Sequence, residues 1–198
     1  MSTAAPPLTP DDLLRMPDAG RGYELVNGEL KEVEVSQESS RVGIKFAGRL
    51  DAFAEANRLG VVVGADAGFQ CFPDDPGRVR RADAAFTSYT TVPRNRYQPD
   101  GFIRTAPDLV VEVVSPNDLA DEVDEKRDEW LDAGVKVVWV AFPSTRTVQV
   151  SGSDRGIVRL RGSDTLTAPD LLPGFSVVVA DLFRRPNDPA PTGPSPVQ

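Results

Sequence analysis

Histidine is absent from this chain of 198 residues, and cysteine occurs only once, at position 71. Without histidine, the chain can contain neither a Ser-His-Asp triad nor a histidine-ligated zinc site. A single cysteine cannot form an intramolecular disulfide, which fits a reducing cytoplasm, and we interpret Cys71 as a small buried hydrophobic residue. Any divalent cation would therefore have to bind oxygen ligands.

Long apolar segments and an excess of positive charge are missing as well. The longest apolar run, at residues 137–142, is far shorter than the roughly 20 residues of a membrane helix. Residues 1–10 lack the basic start and apolar stretch of a signal peptide, so we expect a cytoplasmic protein without a membrane segment. The 22 basic and 30 acidic residues give a net charge of −8, so nucleic acid could be bound only through a local basic patch.

Length and composition predict a single domain with a sizeable core, since 40% of the residues are hydrophobic. We expect a flexible leader at residues 1–8 and the domain at residues 9–185. Proline and small polar residues dominate after residue 185, which predicts a disordered tail at residues 186–198. The sequence leaves a homodimer open.

Helical and strand patterns alternate along this domain. The Asn-Gly pair at residues 27–28 predicts a hairpin, and the order strand, helix, strand over residues 108–142 predicts a parallel crossover. We therefore expect an α/β fold in which helices flank a mixed central sheet, with hairpins added at both ends. In chain order, the predicted elements are a helix starting at Thr9-Pro10, strands at 22–26 and 29–35, a helix at 37–59 capped by Gly60, strands at 61–63, 67–72 and 83–88, a loop at 90–107, a strand at 108–114, a helix at 118–133, a strand at 135–142, a hairpin at 146–161, a strand at 176–179 and a turn at 181–185.

Glu112 lies in the middle of the most apolar predicted strand, LVVEVV at residues 109–114. Such a run is typical of a strand covered on both faces. A buried carboxylate is costly unless it is paired or binds a metal. An edge strand with Glu112 facing water, or a structural ion pair, explains the pattern equally well.

Lys126 falls on the inward face of the following predicted helix. At about 100° per residue, Lys126 shares a sector with Val123, Trp130 and Ala133, whereas the acidic residues fill the opposite arc. These acids are Glu122, Asp124, Glu125, Asp128, Glu129 and Asp132. The lysine either extends from the rim of the core to solvent or acts beside Glu112.

Asp83 opens a short apolar strand within a positively charged segment. Residues 77–107 contain six arginines and two acids in a chain of negative net charge. This is either ordinary loop charge or a phosphate-facing surface around an isolated carboxylate. The candidate phosphate contacts are Arg78, Arg80 and Arg81.

Four stretches carry a family resemblance. They are YELVNGEL at residues 23–30, RADAAF at 81–86, APDLVVEVVSP at 106–116, and Lys126 followed by Ala133-Gly134-Val135 and Trp139. In this order and spacing they resemble the Uma-two family of restriction-endonuclease-like proteins, of the PD-(D/E)xK nuclease superfamily. The resemblance covers residues 13–183 and implies a restriction-endonuclease-like core.

The resemblance also implies roles for four residues. Asp83 and Glu112 match the metal-binding carboxylates, and Lys126 matches a catalytic lysine supplied from the helix. Glu24 matches a further acidic residue near the site, although a hairpin residue on the surface explains it nearly as well. The implied cofactor is Mg²⁺ or Mn²⁺.

The chain departs from the family at two positions. Ser39 stands where the family has a histidine near the start of the long helix, and Ala82 replaces the proline before Asp83. The two carboxylates and the lysine are nevertheless present. On the basis of the resemblance, we expect a Mg²⁺-dependent endonuclease acting on DNA. The alternatives are a noncatalytic nucleic-acid-binding or interaction module that retains the fold, and a hydrolase of small phosphate esters.

Overall fold

The computed structural model describes residues 6–189, so most of the predicted leader and tail lie outside the described residues. At both ends, the described residues contact the domain. The amide of Leu8 donates a hydrogen bond to the carbonyl of Gly28 at 2.9 Å, and Asp188 pairs with Arg146 at 3.0 Å. Ordered structure therefore extends to both predicted boundaries of the domain and slightly past them.

In the described part of the chain, four α-helices and twelve strands follow the predicted order, with short 3₁₀ turns at Pro17–Gly20 and Arg94–Arg96. None of these helices combines the length and apolar character that crossing a membrane requires, within residues 6–189. In chain order the elements are α1 (Pro10–Arg15), β1 (Tyr23–Val26), β2 (Glu29–Glu32), α2 (Gln37–Ala56), β3 (Gly60–Gly64), β4 (Gly68–Phe69), β5 (Arg80–Arg81), β6 (Ala84–Ser88), β7 (Leu109–Val113), α3 (Ala120–Asp132), β8 (Val137–Phe142), β9 (Thr147–Gly152), β10 (Ile157–Arg161), β11 (Thr165–Leu166), β12 (Val177–Val178) and α4 (Val179–Phe183).

The N-terminal helix and hairpin are determined by residues close together in the sequence. Thr9 caps α1 in a capping box, in which its hydroxyl accepts from the amide of Asp12 while the Asp12 carboxylate accepts from the amide of Thr9. β1 and β2 pair antiparallel around Asn27 and Gly28, whose φ values of 52° and 77° suit a tight hairpin turn. The predicted hairpin is confirmed.

The central sheet has six strands in the order β10-β9-β8-β7-β6-β3. β7 and β8 run parallel and are joined by α3, whereas the other neighbours in this sheet are antiparallel. The predicted crossover and the mixed sheet are therefore confirmed, and β7, which carries Glu112, is an interior strand.

The two faces of the sheet are covered by different helices. α2 packs Phe46 and Leu50 against Trp139 on one face, and α3 packs Trp130 against Val138 on the other. Because both faces are covered, Leu109, Val110 and Val111 of β7 are fully buried, as its apolar sequence predicts.

Gly60 does not cap α2, so that prediction is wrong. Arg58 ends the helix in the left-handed conformation, with φ 56°, and the amide of Leu59 donates to the carbonyl of Ala54 at 2.9 Å. Gly60 instead begins β3, where a Cβ would overlap the carbonyl oxygen of Thr87. The predicted strand at residues 67–72 is also shorter than expected, since only β4 is regular.

We expect Gly60→Ala to lower the free energy of unfolding by about 2 kcal/mol, because the added methyl group meets backbone of the neighbouring strand. Gly48→Ala is the matched control. Gly48 is an exposed residue within α2 with open space around it, so the same change should stabilise the protein by about 0.5–1 kcal/mol. Denaturant unfolding measures both, and a destabilisation no greater for Gly60→Ala than for Gly48→Ala would contradict the close approach.

Candidate active site

The predicted site residues line one cleft of about 480 Å³ at the end of β7. Its walls come from the β1–β2 hairpin, α2 and α3, so elements from three parts of the chain converge there. Asp83, Glu112, Lys126 and Glu24 all contribute to the lining. The fold therefore brings together the four residues that the sequence singled out.

Asp83 immediately precedes β6, and one of its two carboxylate oxygens is fixed by a hydrogen bond. The register pairs Ala84 with Val111, and Asp83 Oδ2 accepts a hydrogen bond from the amide of Val113 at 2.7 Å. Within residues 6–189, Oδ1 accepts no hydrogen bond. Burial raises the pKa of Asp83, with Lys126 and the Val113 amide acting in the opposite direction.

Gly43, on the buried face of α2, explains the open space beside that oxygen. A Cβ at Gly43 would lie 3.6 Å from Asp83 Oδ1, which is ordinary contact distance. Any side chain longer than alanine would therefore occupy the space in front of the carboxylate. The sequence analysis did not identify this residue, because a glycine within a helical pattern carries no sign of what the helix faces.

Glu112 has partners on both carboxylate oxygens. Oε1 accepts from the indole nitrogen of Trp130 at 2.7 Å, and Oε2 accepts from Lys126 Nζ at 2.9 Å. The side chain is 12% exposed and lies on an interior strand, so the reading of an edge residue facing water is wrong. Burial raises the pKa of Glu112 to about 7, and Lys126 opposes this shift while the charges of Asp83 and Glu24 add to it.

Lys126 points from α3 into the cleft, in the direction that the helical spacing predicts. Its ammonium lies 2.9 Å from Glu112 and 3.0 Å from Glu24, and it donates to the carbonyl of Arg81 at 2.8 Å. Burial lowers the pKa of this lysine, but Glu112 and Glu24 outweigh burial and the pKa is raised. The ammonium therefore stays charged at neutral pH.

Glu24 is buried, so it is not the surface hairpin residue of the alternative reading. Its Oε1 accepts from the amide of Arg81 at 2.8 Å, and its Oε2 accepts from the Arg80 guanidinium at 2.8 Å. Burial acts to raise the pKa of Glu24, but Lys126 and Arg80 lower it. Glu24 therefore stays ionised and balances the charge of Lys126.

The three arginines predicted to contact phosphate are buried and have internal partners. Arg80 forms a bidentate pair with Glu129, at 2.7 and 2.9 Å, and Arg78 pairs with Asp74 at 3.1 Å. Arg81 donates to the backbone carbonyls of Tyr23, Gly20 and Asp66. The exposed arginine surface is therefore not found at these positions, and phosphate contact by them stays an untested prediction.

Two residues of α3 were missed or misplaced by the sequence analysis. Trp130 is a direct partner of Glu112, and its spacing of four residues from Lys126 could have indicated this. Glu129 was assigned to the exposed acidic arc, but its side chain is 9% exposed and pairs with Arg80. Glu129 lies at the margin of that arc. A helical projection gives the direction of a side chain there but not the residues of other elements that it contacts.

Ser39, which the family resemblance matches to a histidine position, is used in helix capping. Its hydroxyl accepts from the amide of Ser36, and Ser36 accepts from the amide of Ser39, each at 3.0 Å. Ser115 donates to the Ser39 hydroxyl at 3.0 Å. This buried cluster of hydroxyl groups contributes no imidazole-like base to the cleft.

Asp83 and Glu112 are the residues of this cleft that could hold a divalent cation. Among residues 6–189, no three Asp, Glu, His or Cys side chains cluster closely enough to enclose a metal ion. Mg²⁺ commonly takes only one or two carboxylates and keeps several waters. Asp83 offers a free oxygen and Glu112 an oriented carboxylate, so these two residues fit such an ion.

A six-stranded mixed sheet with a helix packed on each face defines an α/β protein with a restriction-endonuclease-like core. The chain belongs to the Uma2 family, whose sequence profile, described as "Putative restriction endonuclease", matches residues 10–180. This confirms the family resemblance.

A crystal structure from Anabaena variabilis ATCC 29413, described as "a putative nuclease belonging to DUF820", has a similar fold. Its TM-score is 0.74 at 18% sequence identity, and the alignment covers 89% of this chain and 98% of that one. None of the curated proteins compared with this chain matches it.

We expect Glu112→Gln to weaken the pH dependence of stability in metal-free buffer. Burial raises the pKa of Glu112 from 4.5 to about 7, so the folded state holds the proton more tightly than the unfolded chain. That stabilising contribution is full below about pH 4.5 and is lost as the pH rises through about 7. The melting temperature of the wild type should fall more between pH 5 and pH 8 than that of Glu112→Gln, in thermal unfolding followed by circular dichroism.

The control for this measurement is Glu55→Gln, which makes the same chemical change on the exposed face of α2. Parallel melting curves for the wild type and Glu112→Gln across this range would show that the Glu112 pKa is not raised.

Proposed function

We propose that this chain is a nuclease that hydrolyses phosphodiester bonds in DNA with Mg²⁺ or Mn²⁺ as cofactor. The observation that carries the proposal is the contact of Lys126 with Glu112, at 2.9 Å, in a cleft where Asp83 presents an unpartnered oxygen. Membership of a family described as restriction endonucleases supports the same reaction class.

Asp83 and Glu112 are the residues that would hold the metal. When bound there, the ion would polarise a phosphodiester oxygen and lower the pKa of a bound water. Trp130 and Lys126 orient Glu112 through one hydrogen bond to each oxygen, so the carboxylate is held in place before substrate arrives. Gly43 keeps the space next to Asp83 open.

Lys126 is the residue we assign to charge stabilisation. A fixed ammonium beside the reacting phosphate offsets the negative charge that develops during hydrolysis, and it can orient the attacking water. Glu24 and Glu112 keep this ammonium charged and hold it in the cleft. We assign Glu24 to positioning Lys126, since its oxygens are already engaged by Arg80 and Arg81.

The charge of the cleft favours a cation-dependent reaction. Acidic side chains outnumber basic ones in its lining, so the cleft would repel a phosphate in the absence of bound cations. The acidic members are Glu24, Glu32, Glu34, Asp83, Glu112, Asp118, Glu122 and Glu125, and the basic members are Lys31, Arg80, Arg81 and Lys126.

A noncatalytic DNA-binding or interaction module with the same fold is the second candidate. The observation that favours it is Ser39, which occupies the family's histidine position and serves as a capping residue. A cleavage assay separates the two candidates, because a binding module would hold DNA without hydrolysing it.

Lys126→Met should reduce cleavage of plasmid DNA by roughly 100-fold or more, because it removes the charge that stabilises the transition state while keeping the length of the side chain. Asp83→Asn should have a similar effect through loss of a metal ligand. Asp51→Asn, on the exposed face of α2, is the matched control and should cleave like the wild type. Agarose gels with Mg²⁺ or Mn²⁺ measure the rates, and undiminished cleavage by Lys126→Met would remove the lysine from the site.

Metal binding can be tested without DNA. Isothermal calorimetry at pH 8 should show that Glu112→Gln binds Mn²⁺ at least about tenfold more weakly than the wild type, since a ligand should contribute no less than an outer partner does. Glu55→Gln again provides the control. Equal affinities for the wild type and Glu112→Gln would exclude Glu112 as a ligand.

A further inference from the structure

A second cleft, of about 410 Å³, lies beside the candidate active site. Its floor is formed by Val61 and Val63 of β3, which is one edge of the central sheet, and its outer wall is the loop at residues 89–105. The mechanism proposed above uses none of the residues of this loop.

Three arginines of this loop have no ion-pair partner within residues 6–189. Arg94, Arg96 and Arg104 are exposed and line the cleft, whereas Arg21, which also lines it, pairs with Asp66 at 3.6 Å. The lining contains five arginines and three aspartates (Asp18, Asp66 and Asp100), so this cleft is net positive in a chain of net charge −8. Such a surface attracts phosphate groups.

Two tyrosines are interleaved with these arginines. The guanidinium of Arg94 stacks over the ring of Tyr89, with its Cζ atom 3.9 Å from the ring centroid. The side chain of Tyr97 is 59% exposed. Aromatic rings between basic groups in a groove are typical of sites that bind single-stranded nucleic acid, because the bases stack on the rings. The bases of an intact duplex are stacked on one another and cannot reach a ring in this way.

The two clefts border the same turn, between β3 and β4. Gly64 and Ala65 line the active-site cleft, Asp66 and Ala67 line the second cleft, and Arg81 contributes to both. Gly64, Ala65 and Ala67 of this turn are small, and Asp66 is paired with Arg21, so the turn separates the two clefts by only a few residues.

We infer that the second cleft binds an unpaired stretch of DNA next to the cleavage point. Arg94, Arg96 and Arg104 contact its phosphates, and Tyr97 stacks on a base. The protein accordingly prefers DNA that carries a single-stranded segment to blunt duplex DNA. This inference rests on the proposed function, since it places the cleft along the path of the substrate strand.

Fluorescence anisotropy with the cleavage-deficient Asp83→Asn protein tests the inference. The probes are a blunt duplex and the same duplex with a thymidine tail of about six nucleotides at its 5′ or 3′ end, within the range of known single-strand sites. We expect one of the tailed duplexes to bind about fivefold more tightly than the blunt duplex, since stacking of one base is worth at least that factor.

The variants Tyr97→Ala and Arg96→Gln/Arg104→Gln, made in the same background, should lose this preference while keeping the affinity for blunt duplex. The double variant should also reduce the slope of log affinity against log salt by about one to two, since each lost phosphate contact contributes nearly one unit. Arg159→Gln/Arg161→Gln is the matched control, because β10 forms the opposite edge of the sheet. It should keep the preference and the slope.

Two outcomes separate this inference from the proposed function. If the wild type cleaves DNA but blunt and tailed duplexes bind equally, or if both variants keep the preference, the assignment of the second cleft is overturned and the nuclease proposal stands. If the wild type neither cleaves nor binds DNA, the proposed function is overturned and this inference with it.

Discussion

The ammonium of Lys126 is the group on which the rest of the site depends. It lies between Glu112 and Glu24 and donates to the carbonyl of Arg81, so three separate segments meet at one charge. A buried charge that loses its partner costs several kcal/mol, whereas a fully paired one is tolerated. The contact therefore ties α3, β7 and the N-terminal hairpin to a single geometry, and no charge in it is left unpaired.

A series of ion pairs connects this contact to further buried residues. Glu24 pairs with Arg80, and Arg80 pairs in turn with Glu129 of the same helix that carries Lys126. The chain of pairs starts and ends on α3, so it fixes both the position of the lysine and the distance of the helix from the hairpin. Arg80 is therefore held by carboxylates of the protein itself, whereas Arg94 and Arg96 lie exposed on the loop at residues 89–105.

The two carboxylates of the candidate metal site differ in how they are prepared. Both oxygens of Glu112 are engaged, by Trp130 and Lys126, whereas Asp83 keeps one oxygen free next to Gly43. One carboxylate is thus held in orientation and the other has an open oxygen, which limits the reorganisation that binding of a cation would require. Two packing features produce this arrangement. Gly43 has no side chain in front of Asp83, and the buried indole of Trp130 holds Glu112.

The sequence by itself determined what depends on local periodicity and residue type. The apolar run around Glu112 was typical of a strand covered on both faces, although an edge strand explained it equally well. The helical spacing predicted the inward direction of Lys126, and Asn27-Gly28 predicted the hairpin that carries Glu24. The absence of histidine excluded a Ser-His-Asp triad and a histidine-ligated zinc site. Each of these signals depends on a few consecutive residues or on the overall composition. It can therefore be recognised without knowing the tertiary contacts.

Only the tertiary structure decided which partners these residues meet. A count of arginines cannot tell whether the balancing charge comes from the protein or from a ligand, and Arg80 finds Glu129 49 positions further along the chain. Likewise, Gly60 resembled a helix cap, but its lack of a side chain is needed because Thr87 of the neighbouring strand comes too close. These contacts join residues that are distant in sequence, and they exist only because the sheet brings its strands and helices together.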